Sequence, residues 1–263
     1  MIDTKRRALI TGASSGIGAA FARFLASQGY DLILVARRED RLADLSIDLW
    51  VTQGVRCDVI AVDLSKPGAA KAVFNRVQAL GLHIDLLVNN ASLSGDTKFA
   101  DSSWSDLAAE IQLMVTSMTE LIHLFVPAMK ERRWGRIINL SSLAAFSPPG
   151  ASRLYTGIKS YVLNMSEALN MELQAHGVNV TALCPGITHV DRNDDLTQPI
   201  RTSKLPRLLW QQAEDVVYDG YAAVMRGKAF CVPGMRNKLM AAFMRPLPEG
   251  LRYQLGHMFS PIK

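Results

Sequence analysis

No stretch of this chain approaches the ~18 uninterrupted apolar residues that a membrane-spanning helix requires, which argues against an integral membrane protein. Cysteine is scarce. Cys57, Cys184 and Cys231 are odd in number and scattered, so a disulfide framework is not expected to hold the fold. The five histidines show no ligand spacing, and no metal is expected. The opening residues, MIDTKRRALITG, carry no apolar signal-peptide core before the first glycine. Together these absences lead to the expectation of a reducing, cytoplasmic setting.

What remains is globular material. The chain has 263 residues, 49% hydrophobic and 20% charged, enough for one α/β domain with a sizeable core. The net charge of +5 is unevenly spread. Residues 226–263 hold seven Lys or Arg against a single acid, Glu249, a local +6 that leaves about −1 for the rest. A basic tail on a neutral body fits a solvated or subunit-facing surface. It also fits an anionic partner such as a membrane surface or an acidic acyl carrier. A nucleic-acid partner is not expected.

Seven short, continuously apolar runs recur along the chain: ALIT (8–11), LILVA (32–36), DVIAVD (58–63), DLLVNNA (85–91), RIINLSS (136–142), VNVTALCPG (178–186) and AFCVPG (229–234). Such runs suit strands buried on both faces. Segments of helical periodicity separate them, with Phe21, Phe24 and Leu25, or Leu121, Leu124 and Phe125, on one face. Strand and helix in alternation imply right-handed crossovers and a doubly wound parallel sheet of Rossmann type. No linker or repeat divides the chain, so residues 1–263 are expected to form a single domain. Within it, 187–228 would be a substrate-loop region and 234–263 a basic C-terminal extension.

Ligands in such folds bind beyond the carboxyl ends of the strands. There the first strand meets TGASSGIG (11–18), with Gly12, Gly16 and Gly18 in a G-x-x-x-G-x-G pattern and the next helix opening near Ile17. Glycines permit a tight turn and close backbone approach, and a helix N-terminus offers free N–H groups to a phosphate. Ser14, Ser15, Ile17 and Leu64 join the candidate dinucleotide contacts. The second strand ends in VARRED. Arg37 and Arg38 there oppose the dipole of the following helix, and a basic residue at this point accommodates the 2′-phosphate of NADP. YTGIK (155–159) places Tyr155 and Lys159 on one helix face, where a cation favours the phenolate of its neighbour.

With TGASSGIG, NNA (89–91), Ser142, YTGIK and PG (185–186) in this order, the chain closely resembles the short-chain dehydrogenase/reductase family over residues 5 to about 190. The resemblance implies a seven-stranded sheet and hydride transfer between NADP and a carbonyl or alcohol. It implies that Tyr155 is the general acid and that Lys159 lowers its pKa and binds the nicotinamide ribose. Ser142 would steady the same carbonyl oxygen. Asp63 would receive the adenine, and Asn89, Asn90 and Ala91 the adenosine side. Pro185, Gly186 and Thr188 would clamp the nicotinamide, although Val190 stands where the family often has a second threonine. Family members commonly pair through helices matching roughly 102–130 and 152–176, so a homo-oligomer is expected.

One departure concerns chemistry. Where the family keeps an asparagine whose main chain holds a relay water behind the lysine, this chain has Met114, in MVTS. A thioether is only a weak acceptor, so a slower proton relay or a shifted pH optimum is expected.

Leu93, Ser94, Leu143, Ala144 and His189 are candidate pocket residues, mostly small or apolar, which favours an apolar ketone, aldehyde, fatty-acyl or steroid-like compound over a sugar or phosphate ester. Pro199 and Pro206 break the substrate-loop region, whose mixed polarity suggests a lid. In the tail, Leu251, Leu255 and Phe259 fall at helical spacing, with prolines at 246 and 248 limiting helix length. Two other readings stand beside the reductase. One is an NADP-binding sensor or scaffold that has lost its chemistry. The other is an epimerase or dehydratase on the same scaffold, which nothing in the sequence demands.

Overall fold

A computed structural model describes residues 5–93, 98–146, 154–189 and 210–244, with isolated positions 248, 250, 251 and 254. Ser94, Val190, Pro199, Pro206, Leu255 and Phe259 lie outside the described residues, as do residues 190–209 of the substrate-loop region.

The strands are β1 (Arg7–Thr11), β2 (Asp31–Ala36), β3 (Cys57–Ala61), β4 (Leu86–Asn89), β5 (Gly135–Leu140), β6 (Val178–Leu183) and β7 (Phe230–Cys231). They form one seven-stranded sheet in the order β3-β2-β1-β4-β5-β6-β7. Every ladder in it is parallel. β1 and β4 are buried along their whole length, as the continuous apolar runs require. The run 229–234 yields only the two residues of β7. Pro233 has no N–H to donate and Gly234 takes φ +75°, so the ladder stops there.

Helices cover both faces: α1 (Gly16–Ser27), α2 (Glu39–Gln53), α3 (Ala69–Ala79), α4 (Trp104–Ile111), α5 (Met118–Glu131), α6 (Tyr155–Leu173), α7 (Ala213–Met225) and α8 (Met235–Met244). The core of one face packs Phe21, Leu25, Val216 and Val217 on the sheet, and that of the other packs Val73, Leu121, Phe125, Ile158 and Val162. A π-helical turn, Gln112–Ser117, joins α4 to α5 and makes Trp104–Glu131 one rod. An 18-residue stretch of the rod has mean hydropathy 1.3, so the rod is long and apolar enough by composition to cross a bilayer. Here Leu113, Met114, Met118, Leu121, Ile122, Phe125 and Met129 instead pack into the core beneath the sheet.

The strand order reverses between β1 and β4, because β1 continues to β2 on one side while β4 continues to β5 on the other. At such a switch point the loops part and leave a crevice beyond the strand ends. The glycine loop and the NNA segment meet there.

Candidate active site

The crevice is built by side chains that tie loops to strands. Gly12 has φ +66°, a conformation that glycine adopts freely. A Cβ on Gly18 would run into the Gly12 carbonyl oxygen and into Asn90 Nδ2, so the first turn of α1 can lie against the loop only with glycine there. Asn90 Nδ2 donates to the carbonyls of Thr11 (3.0 Å) and Gly12 (3.2 Å). The Thr11 hydroxyl in turn accepts from the N–H groups of Asn90 and Ala91, each at 3.0 Å. NNA is therefore a brace that fixes the shape of the glycine loop.

Ser15 is the N-cap of α1, yet its side chain makes no capping bond. Instead Arg38 Nη2 donates to Ser14 Oγ (2.9 Å) and Ser15 Oγ (3.0 Å), bringing a guanidinium to the loop and the free N–H groups of α1. Arg38 itself precedes α2, whose first turn carries Glu39 and Asp40, so the acids answer the helix dipole that the arginines oppose. Arg37 is exposed beside Asp63. Burial pushes the Asp63 carboxyl up, but bonds from Ser65 N–H (3.0 Å) and Oγ (2.7 Å) and the nearby Arg37 and Lys66 bring it below its ordinary value. Leu64 is buried next to it.

Ser142 does two things at once. Its Oγ accepts from Ala144 N–H (3.1 Å), capping the 3₁₀ turn Leu143–Ala145, and it hydrogen-bonds the phenol of Tyr155, the first residue of α6. Lys159, one turn along, is 4% exposed, and its Nζ donates to Leu140 O (2.8 Å). That ammonium stands 5.4 Å from the centre of the Tyr155 ring. The phenol's pKa is raised, because burial outweighs the opposing bond from Ser142. The expected lowering by Lys159 is therefore absent from this arrangement: the cation addresses the ring and is itself depressed by burial to about 8.

Pro185, Gly186 and Thr188 follow β6 and close the other side. Leu143 N–H donates to Pro185 O (2.8 Å), joining this loop to the Ser142 turn. The Thr188 hydroxyl turns back onto Gly186 O (3.1 Å). Two organisers here were not picked out from sequence. Gln211 Oε1 accepts from Gly186 N–H (3.2 Å) and from Asn237 Nδ2 (2.7 Å), while Gln211 Nε2 donates to Pro233 O (2.9 Å). A polar pair far apart in sequence offers no local pattern by which to find it.

Of the candidate pocket residues, Leu143 and Ala144 occupy the turn after Ser142, and Leu93 packs on the core beside Ala91. His189 stacks on Trp210, with ring centres 4.6 Å apart. That contact brings together the two ends of the segment between them, and Trp210 is a further residue not picked out from sequence. Met114 is buried, and its Sδ accepts from Ser92 Oγ at 3.1 Å.

Comparison with known proteins agrees with this geometry. The family model for short chain dehydrogenases matches residues 6–201. A 7β-hydroxysteroid dehydrogenase from Collinsella aerofaciens is 32% identical over 180 residues, 68% of each chain. A solved structure concerning 7β-hydroxysteroid dehydrogenase stereoselectivity superposes with a TM-score of 0.85 at 26% identity, covering 95% of this chain and 96% of that one. A short-chain dehydrogenase from Sphingobium yanoikuyae, solved with NADPH, superposes with a TM-score of 0.76 at 28% identity, covering 93% and 97%.

Proposed function

Because the chain belongs to the short-chain dehydrogenase family and is an oxidoreductase of that family, we propose that it is an NADP(H)-dependent reductase of an apolar ketone or aldehyde, steroid-like or fatty-acyl in character. The observation that carries this reading is Tyr155 bonded to Ser142 with buried Lys159 one turn behind, in a chain whose Arg38 reaches Ser14 and Ser15 of the glycine loop.

The residues fit the cofactor. The close approach of Gly12 to Gly18 leaves backbone N–H groups for the pyrophosphate, and Arg38 with Arg37 supplies charge for a 2′-phosphate. Asp63, Leu64, Asn90 and Ala91 would line the adenosine side, and Thr188 the nicotinamide. NADPH, when bound, supplies the hydride. The chain's part is the proton. A phenol with a raised pKa stays protonated at neutral pH, the state a donor to a carbonyl oxygen needs. As the proton leaves, Ser142 and the Lys159 ammonium stabilise the phenolate. Run backwards, the same groups accept the proton of an alcohol. Leu93, Leu143, Ala144 and the His189–Trp210 stack present apolar surface and one imidazole to the substrate.

The exposed apolar side chains of Trp104 on α4 and of Tyr161 and Met171 on α6 support a homo-oligomer, which light scattering would detect. On α8, Met235, Leu239 and Phe243 form an exposed stripe beside Arg236 and Lys238, which supports a further subunit contact. Sedimentation with anionic liposomes, lost on removing residues 234–263, would make it a lipid-facing surface instead.

The deciding experiment follows NADPH oxidation with a panel of steroidal, fatty-acyl and small apolar ketones. Turnover that falls at least 1,000-fold in Tyr155→Phe, with NADPH binding retained, supports the reductase. NADPH binding without turnover of any carbonyl would favour a sensor. Turnover that survives in Tyr155→Phe would overturn the assignment.

A further inference from the structure

Gln211 stands just before α7 and engages the loop after β6 with both its main chain and its side chain. Gln211 N–H donates to Ile187 O (2.8 Å), and Gln211 O accepts from His189 N–H (2.8 Å). The side chain reaches further back along the loop, where Oε1 accepts from Gly186 N–H at 3.2 Å. Its amide nitrogen donates to Pro233 O, 2.9 Å away, in the turn between β7 and α8. A main-chain N–H only donates and a carbonyl only accepts, so flipping this amide would break both bonds. Its orientation is fixed.

Asn237, buried on α8, completes the arrangement. Its Nδ2 donates to Gln211 Oε1 (2.7 Å) and to Pro233 O (3.2 Å), which uses both amide hydrogens. The same amide fills the space beside Gly186, where a Cβ would come within 2.6 Å of Asn237 Nδ2. A Cβ on Gly234 would likewise come within 2.6 Å of Gln211 Nε2. Gly186, Pro233, Gly234 and Asn237, scattered in sequence, therefore close on the Gln211 amide.

The consequence falls on one peptide unit. Pro185 O accepts from Leu143 N–H, in the turn that Ser142 caps, and the N–H of the same peptide, on Gly186, goes to Gln211. Both polar atoms of the 185–186 peptide are thus held, one by the Ser142 turn and the other by the paired amides. The next carbonyl, Gly186 O, accepts from the Thr188 hydroxyl. Rotation of that peptide would carry Thr188 with it.

We infer that Gln211, oriented by Asn237, is a positioning residue for the nicotinamide half of the cofactor, acting through the 185–188 loop. This makes α8 a part of the cofactor site, although Gln211 and Asn237 both lie beyond residues 6–201, the span of the family match. The glycine loop and Arg38 belong to a different set of bonds, centred on Thr11, Asn90, Ser14 and Ser15. The effect of the amide pair is therefore confined to one half of the dinucleotide. The inference rests on the NADP reading above.

Calorimetric titration of the full chain with two ligands tests it: NADPH, and 2′-phospho-ADP-ribose, which lacks the nicotinamide. Gln211→Leu keeps the bulk of the side chain and removes its bonds to Gly186, Pro233 and Asn237. We expect its Kd for NADPH to rise about tenfold, with Kd for 2′-phospho-ADP-ribose within about twofold of the parent. A merely structural role would weaken both ligands alike or lower only Tm, and either result overturns the inference. Asn237→Ala leaves Gly186 N–H bonded and cuts the tie to α8. Should Gln211→Leu fail to fold, Asn237→Ala decides: a loss of NADPH affinity of about threefold or more, without loss for 2′-phospho-ADP-ribose, supports the inference. An unchanged ratio of the two constants overturns it. A parent chain that binds neither ligand would sink the NADP reading and the inference with it, whereas a parent that binds both and variants that lose both equally would sink the inference alone.

Discussion

The Met114 thioether accepts a hydrogen bond from the Ser92 hydroxyl, 3.1 Å away, at the wall of the cavity that holds Lys159. A π-helical turn, an element often found at functional sites, places Met114 there. Replacing Met114 by Asn puts an amide, with two donors and a stronger acceptor, into the same space. We expect Met114→Asn to shift the pH–rate profile by about half a unit or more while keeping turnover within about tenfold. An unshifted profile would show that the thioether does not influence the proton supply. Met114→Leu, close in volume, should cost less than about 1.5 kcal/mol of stability.

Arg38 is expected to decide between the two nicotinamide cofactors. It reaches Ser14 and Ser15 and so stands over the glycine loop with its charge in place. Hydrogen bonds to a charged group are worth about 1.5–3 kcal/mol, or roughly 10–100-fold in affinity. Arg38→Ala should therefore raise KM for NADPH at least tenfold and leave KM for NADH nearly unchanged. Equal losses for both cofactors would mean that Arg38 shapes the loop without selecting the 2′-phosphate.

Gly18 is the tightest point of the loop. In Gly18→Ala the new methyl meets a main-chain oxygen, that of Gly12, which cannot swing aside, and the Asn90 amide that braces the turn. Overpacking of this sort costs about 1–3 kcal/mol. Thermal denaturation should show Tm lower by roughly 2–12 °C, at about 2–4 °C per kcal/mol for a chain of this length. Titration with NADPH should show weaker binding, because α1 must back away from the crevice. A variant as stable and as tight-binding as the parent would mean that the loop has slack that its contacts do not suggest.

How far the sequence reaches can be seen residue by residue. The parallel sheet was legible because strands buried on both faces must be continuously apolar, and seven such runs stand out between amphipathic helices. Ser142, Tyr155 and Lys159 were legible because chemistry fixes their types and the chain fixes their spacing, and the structure does gather them. Asn90 was legible as a motif but not as a brace, since its partners Thr11 and Gly12 lie in a distant loop. Gln211, Asn237 and Trp210 were not legible, because polar and aromatic residues acquire roles only when tertiary contacts supply a partner. The sign of the Tyr155 shift was also missed. Helical spacing brings the lysine alongside, but burial, which sequence does not quantify, dominates both groups.

Lys159 links activity to stability. Its pKa falls from 10.5 to about 8 because the ammonium is buried. Below pH 8 the lysine is charged in the folded and unfolded chains alike, and folding bears the full desolvation. Between about 8 and 10.5 the unfolded chain keeps a proton that the folded chain has lost, so this group makes stability rise with pH. Above 10.5 both forms are neutral and the burden is gone. At 1.36 kcal/mol per unit the span is worth about 3 kcal/mol. Lys159→Met removes the titration and keeps the apolar stem, at the expense of the bond to Leu140 O, worth about 1 kcal/mol. The variant should be inactive, yet at pH 7 at least as stable in urea as the parent. Between pH 7 and pH 10 the parent should gain on it by about 2–3 kcal/mol, with other titrating groups cancelling in the comparison. A difference that stays constant across that range would show that the ammonium is hydrated in the folded state well enough to keep an ordinary pKa.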